Sequence, residues 1–262
     1  MRRSRLRGIA PDLVAALDRI HVACEVAGAI EGDDELEVFI AGDALPPLDD
    51  LALAIEELDA QSDAARTGLE DDRAIEVSEH LLVRPPWIPR PDGFRGLDLV
   101  VPRGMAFGSG EHGSTQAALL ALDRVWPTPS PRQLLDVGTG SGILALYAQR
   151  RGVVEVSACD VEPEAVDAAR ELLGDARVRR GGPEVFTPEV FVAVVANLDA
   201  RQIDDALEAI LARWSGSGPL VLSGMRPHEV DELRVRMPRS EAVRIERGGY
   251  VALAWPRRGS GA

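Results

Sequence analysis

Residues 134–146 read LLDVGTGSGILAL. An apolar run ends at Asp136 and Val137, glycines follow at 138, 140 and 142, and a helical apolar pattern opens behind them. Glycines at such a junction let the backbone turn sharply and let a ligand touch the main chain. Outward from this turn, strand and helix patterns alternate. The apolar runs Gln133 to Val137, Val153 to Cys159, Phe191 to Ala196 and Pro219 to Leu222 predict strands. The segments Ser114 to Val125, Gly142 to Arg151, Pro163 to Leu173, Ala200 to Trp214 and Pro227 to Val235 predict helices. Short apolar strands separated by helices imply a parallel sheet covered on both faces. Val243 to Glu246 and Tyr250 to Trp255 predict a closing antiparallel hairpin at the sheet edge. The fold class is α/β, doubly wound, with ligands expected outside the carboxyl ends of the strands.

The first part of the chain reads differently. Residues 1–60 suggest a small α/β unit, with helices over Pro11 to Ile20 and Leu48 to Leu58 and strands over Val22 to Ala27 and Leu36 to Ile40. Residues 61–74 are polar and charged and read as a linker, which leaves 75–262 as the main domain. That domain opens with strands over Ile75 to Val83 and Leu97 to Val101, around a Pro-rich turn from Arg84 to Pro91.

Composition excludes several classes. The 262 residues carry 29 Lys+Arg against 43 Asp+Glu, a net charge of −14, and the pI is near 4.8. Such a chain lacks the basic footprint of a protein that binds nucleic acid directly, and suits a basic protein partner. Cys24 and Cys159 form no CxxC, and the four histidines are scattered, so no metal site is expected. No apolar run reaches the length of a membrane span, and the arginines at 2, 3, 5 and 7 are followed by nothing like a signal peptide. The expected location is the cytoplasm, and the oligomeric state is not legible. There is no lysine, and asparagine occurs once, at Asn197.

Four signals locate a site. The turn at Gly138 and Gly140 reads GxGxG rather than the GxGxxG of dinucleotide folds. Asp136 just before it would repel a pyrophosphate and suit the sulfonium and ammonium of S-adenosylmethionine. Asp160 ends the next strand, roughly 20 residues on, where an acid accepts ribose hydroxyls. It also fits a carboxylate at the start of a helix. Asn197 ends VVAN and faces the same crevice, offering an acceptor and two donors without charge. The segment PRGMAFGSGEHGST, residues 102–115, brings glycines, Phe107, His112, Ser114 and Thr115 to the start of a helix. Ser114 or Thr115 can cap that helix, Thr115 can equally touch a ligand, and His112 reads as a base, a ligand-shell donor or a loop residue. Asp199 and Glu111 are candidates to hold an incoming cation.

Together MAFGSGEHGST, LLDVGTGSGILAL, ACDVEPEAV, VVANL and LVLSGM resemble the ribosomal protein methyltransferases of the PrmA type, which methylate amino groups of the eleventh protein of the large ribosomal subunit. The likeness runs from about Val77 to Trp255. Lysine methyltransferases of the electron-transfer flavoprotein beta subunit share the AFGxGxHxxT signature. The resemblance implies a Rossmann-like class I methyltransferase sheet behind a small N-terminal substrate-recognition domain. It implies S-adenosylmethionine as cofactor, held by Phe107, Thr115, Gly138, Gly140, Asp160 and Asn197. Asn197 is also the candidate catalytic residue, expected to orient the amine or the donor. The resemblance implies a basic, ribosomal protein as partner. Where the family reads two threonines after His-Pro, this chain reads Gly113, Ser114, Thr115. Where the family reads Asn-Ile-Leu, it reads Asn197, Leu198, Asp199. A methyltransferase for small molecules, a nicotinamide oxidoreductase and a non-catalytic cofactor-binding module are the competing readings.

Overall fold

A computed structural model of the chain describes residues 2–31, 34–41, 45–58, 73–102, 108–174, 176–237 and 242–256. The chain divides into two compact units, Met1–Asp72 and Arg73–Ala262.

In the first unit, strands β1 (Arg2–Arg7), β2 (Glu25–Glu31), β3 (Glu35–Ala41) and β4 (Ala54–Leu58) form an antiparallel sheet in the order β2-β3-β1-β4. Helix α1 (Ala10–Ala23) covers one face, and Leu13, Ala16 and Ile20 pack with Leu6, Leu36 and Val38. Strand alternation sends Arg5 and Arg7 to the other face, where Glu35 pairs with both at 3.3 and 2.7 Å and Glu56 with Arg5 at 3.7 Å. The helix expected over Leu48 to Leu58 is absent. Its second half is β4, running along β1 with Arg7 opposite Ala54 and Arg3 opposite Leu58. A lone helix of this length is marginal, whereas the open edge of β1 offers a ladder of backbone partners. Ile55 remains exposed, while Leu48 enters the core. The strand expected from Val22 starts later, because α1 continues to Ala23.

The second unit opens with β5 (Ile75–Ser78), β6 (Leu81–Arg84) and β7 (Leu97–Val100). The single strand expected over Ile75 to Val83 is a hairpin. Ser78 Oγ accepts the His80 N–H at 3.2 Å and the polar pair Glu79–His80 turns the chain. Strand β7 runs parallel to β6, and an Arg84–Asp98 pair at 2.9 Å ties their ends.

The main sheet has seven strands in the order β10-β9-β8-β11-β12-β14-β13. They are β8 (Gln133–Val137), β9 (Glu155–Asp160), β10 (Arg177–Arg180), β11 (Ala193–Asn197), β12 (Leu220–Met225), β13 (Val243–Arg247) and β14 (Tyr250–Trp255). The first five in spatial order are parallel, and β14 is antiparallel to both neighbours. Alternate strand residues feed two cores. Leu134, Ala158, Val195 and Val221 pack with α2 (Gly113–Val125), α3 (Ile143–Arg150) and α4 (Pro163–Leu173). Leu135, Val137, Ala196 and Leu222 pack with α5 (Ala200–Arg213) and α6 (Val230–Arg236). Strand β10 escapes sequence reading: in RVRR only Val178 is buried, so no apolar run marks it.

Candidate active site

The strand order reverses between β8 and β11, so a crevice opens at their carboxyl ends, the place where such sheets take ligands. Strand β8 delivers the glycine turn there. Gly138 has φ +67°, and a Cβ on it would stand 2.2 Å from Leu198 Cδ2. The turn consumes its own donors. Gly138 and Thr139 both give their N–H to the Cys159 carbonyl, at 2.9 and 3.1 Å, and Gly142 gives its own to Thr139 at 2.8 Å. Gly140 donates to Asp160 Oδ2 at 2.9 Å. A phosphate cradle needs such N–H groups free. Here four of them are spent, so the turn is unsuited to a pyrophosphate.

The sequence argument for the same conclusion needs correcting. Asp136 does not face the crevice. It is fully buried, and its Oδ2 accepts from Thr139 Oγ1 at 2.7 Å and from the Ala145 N–H at 3.1 Å, while Oδ1 has no partner. Its role is to lock the turn to the start of α3. Burial pushes its carboxyl up to about 7, against the lowering effect of those two hydrogen bonds. Burial likewise pushes the neighbouring Cys159 thiol upward, which leaves it an inert core residue.

Asp160 ends β9. Its Oδ2 holds Gly140 and its Oδ1 accepts the Glu162 N–H at 3.1 Å. The carboxylate is thus fixed at the strand tip, and each oxygen keeps a second lone pair. Asn197 ends β11. Its Nδ2 donates to Thr115 Oγ1 at 3.4 Å, and its Oδ1 is buried without a partner. Thr115 is fully buried in the first turn of α2. Phe107 lies outside the described residues.

Other side chains draw the preceding segment onto the tips. Ser141 Oγ donates to the Gly108 carbonyl at 2.8 Å, and Ser223 Oγ to the Ser114 carbonyl at 2.9 Å. The residue that caps α2 is His112 rather than Ser114 or Thr115. Its Nδ1 accepts the Ser114 N–H at 3.4 Å and lies 2.7 Å from Ser114 Oγ. Burial, reinforced by Arg226, pushes His112 down to about 4, so the ring is neutral and its lone pair stays available. Its ring centroid sits 4.4 Å from that of Tyr250, over which Arg226 lies at 4.1 Å. Asp199 is exposed. It caps α5 in a capping box, accepting the Gln202 N–H at 2.8 Å and donating its own N–H to Gln202 Oε1 at 3.2 Å. Glu111 is exposed and accepts from Ser109 Oγ at 3.2 Å.

The structure therefore gathers Thr115, Gly138, Gly140, Asp160 and Asn197 at one set of strand tips. Sequence reading did not single out Ser141, Ser223, Arg226 or Tyr250. A serine directly after the buried run LVL was the available sign for Ser223. Among the described residues no group of acids, cysteines and histidines is placed to hold a metal ion. No described helix is long and apolar enough to cross a membrane.

Comparison with known proteins places this geometry. A family described as "Ribosomal protein L11 methyltransferase (PrmA)" matches residues 28–247. The ribosomal protein L11 methyltransferase of Dechloromonas aromatica is 33% identical over 213 residues, 78% of this chain and 69% of that protein. That of Burkholderia multivorans is 31% identical over 247 residues, 90% of this chain and 79% of that protein. The crystal structure of ribosomal protein L11 methylase from Lactobacillus delbrueckii subsp. bulgaricus superposes with a TM-score of 0.62 at 27% identity, covering 71% of this chain and 99% of that one. The sheet is that of a class I methyltransferase, and the chain belongs to the ribosomal protein L11 methyltransferase family.

Proposed function

We propose that the chain transfers methyl groups from S-adenosylmethionine to amino groups of a basic ribosomal protein, the counterpart of the L11 protein named for its relatives. The residues fit that cofactor. A sulfonium bearing an ammonium wants acceptors and no phosphate cradle, and this crevice offers acceptors on a turn whose amide donors are spent. The observation that carries the reading is Asn197 Oδ1, a buried acceptor without a partner at the tip of β11. A buried amide oxygen left unpaired costs about 1–3 kcal/mol, which a bound donor recovers. Asp160 would take the ribose hydroxyls, Gly138 and Gly140 the close backbone approach, and Thr115 and Asn197 the methyl-bearing end. Phe107 would cover the cofactor.

The chemistry asks little of the protein beyond alignment and exclusion of water. Bound there, the cofactor supplies an electrophilic methyl carbon: the amine lone pair forms the N–C bond as the C–S bond breaks, the electrons stay on sulfur, and the amine proton leaves to solvent water. Asn197 orients the reacting end through its unpaired oxygen. We assign substrate recognition to the unit Met1–Asp72 and cytoplasmic work alongside ribosome synthesis to the whole.

The test is transfer of labelled methyl from S-adenosylmethionine to purified ribosomal protein L11, with mass spectrometry of the product. The chain holds no lysine, so label on its own lysine side chains cannot confuse the result. Asn197→Ala should lower turnover at least tenfold, with a melting temperature within a few degrees of the parent. Label on the electron-transfer flavoprotein beta subunit in place of L11, or only on small molecules, would reassign the acceptor. Unchanged turnover in the variant would remove Asn197 from the reaction.

A further inference from the structure

In the donor site proposed above, consecutive strand tips take consecutive parts of one extended molecule. Asn197 on β11 takes the methyl-bearing end, the glycine turn on β8 the middle, and Asp160 on β9 the ribose. The next strand outward is β10. Neighbouring strands lie about 4.8 Å apart, less than the width of a purine. With the methyl group toward β11 and the ribose at β9, the base of the donor falls over the tip of β10. That tip adjoins the ribose site directly. Arg180 stands opposite Asp160 in register, and Gly181 gives its N–H to the Asp160 carbonyl at 2.8 Å.

The segment that follows β10 is anchored from the other face of the strand. Arg179 donates from Nη1 to the Val185 carbonyl at 2.7 Å and lies 4.8 Å over the ring of Phe186, which is fully buried. Three groups edge the space beyond Asp160. Val161 is exposed and offers an apolar surface next to the ribose site. Arg180 donates from Nε to the Val161 carbonyl at 3.1 Å, which keeps its guanidinium beside that valine. Glu184 folds back over Gly182, whose N–H it accepts on Oε1 at 3.1 Å. Gly182 has φ −78° and ψ −174°, angles that any residue adopts, yet a Cβ on it would stand 2.5 Å from Glu184 Oε2. Its backbone does not ask for glycine, whereas the carboxylate lying over it does. Among the described residues Glu184 enters no ion pair, and its Oε2 accepts no hydrogen bond.

Purines differ in what their edges donate and accept. Adenine carries an amino group, a donor, at its 6-position, where guanine and hypoxanthine carry a carbonyl oxygen, an acceptor. A carboxylate accepts only, and a guanidinium donates only. A fixed carboxylate oxygen without a partner therefore meets the amino group and repels the carbonyl. The Arg180 guanidinium offers donors to ring nitrogens that both kinds of base share. We propose that Glu184, held over Gly182 at the tip of β10, is a specificity-determining residue that selects a 6-aminopurine as the base of the methyl donor. The inference deepens the methyltransferase reading and rests on it. Selection is by binding alone, and no bond is made or broken.

The experiment is calorimetry on the full chain with two ligands, S-adenosylhomocysteine and S-inosylhomocysteine, which differ in the amino group or carbonyl oxygen at the 6-position of the base. It needs no turnover. Wild type should bind the adenosyl ligand at least tenfold more tightly, because an analogue lacking the amino group leaves the carboxylate facing an acceptor. Glu184→Gln keeps an oxygen for the Gly182 N–H and turns the other oxygen into a donor, so the preference should fall to about twofold or reverse. Gly182→Ala retains every charge and pushes the carboxylate aside, and should lose most of the preference as well. Arg180→Gln should weaken both ligands by a similar factor and leave the preference in place. A preference that survives in Glu184→Gln, with both ligands weakened in parallel or neither, would overturn the proposal, since damage to the segment does not discriminate between the bases. Tight binding of both ligands by wild type without preference removes Glu184 alone. Failure of wild type to bind S-adenosylhomocysteine at all overturns the donor assigned above and this inference with it.

Discussion

Two glycine-rich segments reach the same strand tips and are built in opposite ways. The turn at 138–142 is nearly self-sufficient. Its N–H groups close on Cys159, Thr139 and Asp160, and Asp136 clamps it from beneath. The segment at 108–115 depends on distant residues: Ser141 holds Gly108, Ser223 holds Ser114, Asn197 holds Thr115, and Tyr250 backs His112. A motif whose polar groups are satisfied by itself and the adjacent strand is rigid and can be read from a short stretch of sequence. One satisfied from across the fold is adjustable, and suits the side of a crevice that must admit a substrate.

Breaking the self-sufficient turn should have the largest effect. Gly138→Ala asks a residue with a side chain to adopt φ +67° and pushes Cβ into Leu198. The cost expected is about 1–3 kcal/mol, read by denaturant unfolding, together with at least a tenfold loss of affinity for S-adenosylhomocysteine by calorimetry.

The clamp beneath the turn gives an intermediate effect that depends on pH. Folding raises Asp136 from its ordinary value near 3.8 to about 7, so its contribution to stability is full below about 3.8 and is lost as pH rises through 7. His112 runs the other way. Folding lowers it from 6.5 to about 4, so its contribution is present above 6.5 and lost as pH falls toward 4. Between about 4 and 6.5 the two slopes oppose each other. Asp136→Asn holds the neutral form permanently and unmasks His112. Relative to wild type, the variant should gain stability from pH 5 to pH 8, at up to ~1.4 kcal/mol per pH unit. Urea unfolding at pH 5, 6.5 and 8 measures it, and parallel curves would refute the assignment.

The smallest effect belongs to the segment held from afar. Ser223→Ala removes one hydrogen bond to Ser114 and should cost about 1 kcal/mol. Its sharper signature is local: faster amide hydrogen exchange in the first turn of α2, with the turn at 138–142 unchanged. Equal loosening of both segments would erase the distinction drawn between them.

The reach of sequence reading follows the same division. Strands β8, β9, β11, β12 and β14 and helices α2 to α6 carry apolar patterns that their buried positions demand, and they were legible within a few residues. Strand β10 was not, because an edge strand of three arginines and one valine needs only its neighbour β9 to form. Spacing predicts a helix where β4 lies, because spacing records which residues are apolar, while the free edge of β1 settles which pairing wins. Gly138, Gly140, Asp160, Asn197 and Thr115 stood out because each sits at a strand tip or beside a helix start. The error at Asp136 has a physical cause. A carboxylate near a crevice looks the same in sequence whether it faces a ligand or a backbone N–H.

Sequence alone determined the alternation of strands and helices from β8 onward except at β10, the glycine turn and its acidic follower, and a family membership that comparison upholds. Those features depend on periodicity and on backbone angles that glycine tolerates, which neighbouring residues fix. Only the tertiary structure decided which polar groups remain available: Asn197 Oδ1 is left without a partner, Asp136 is turned inward to clamp the glycine turn, and Arg226 stacks on Tyr250 beside a neutral His112. Hydrogen bonds and electric fields are set by distance in space, and residues 112, 197, 226 and 250 become neighbours once the sheet has closed.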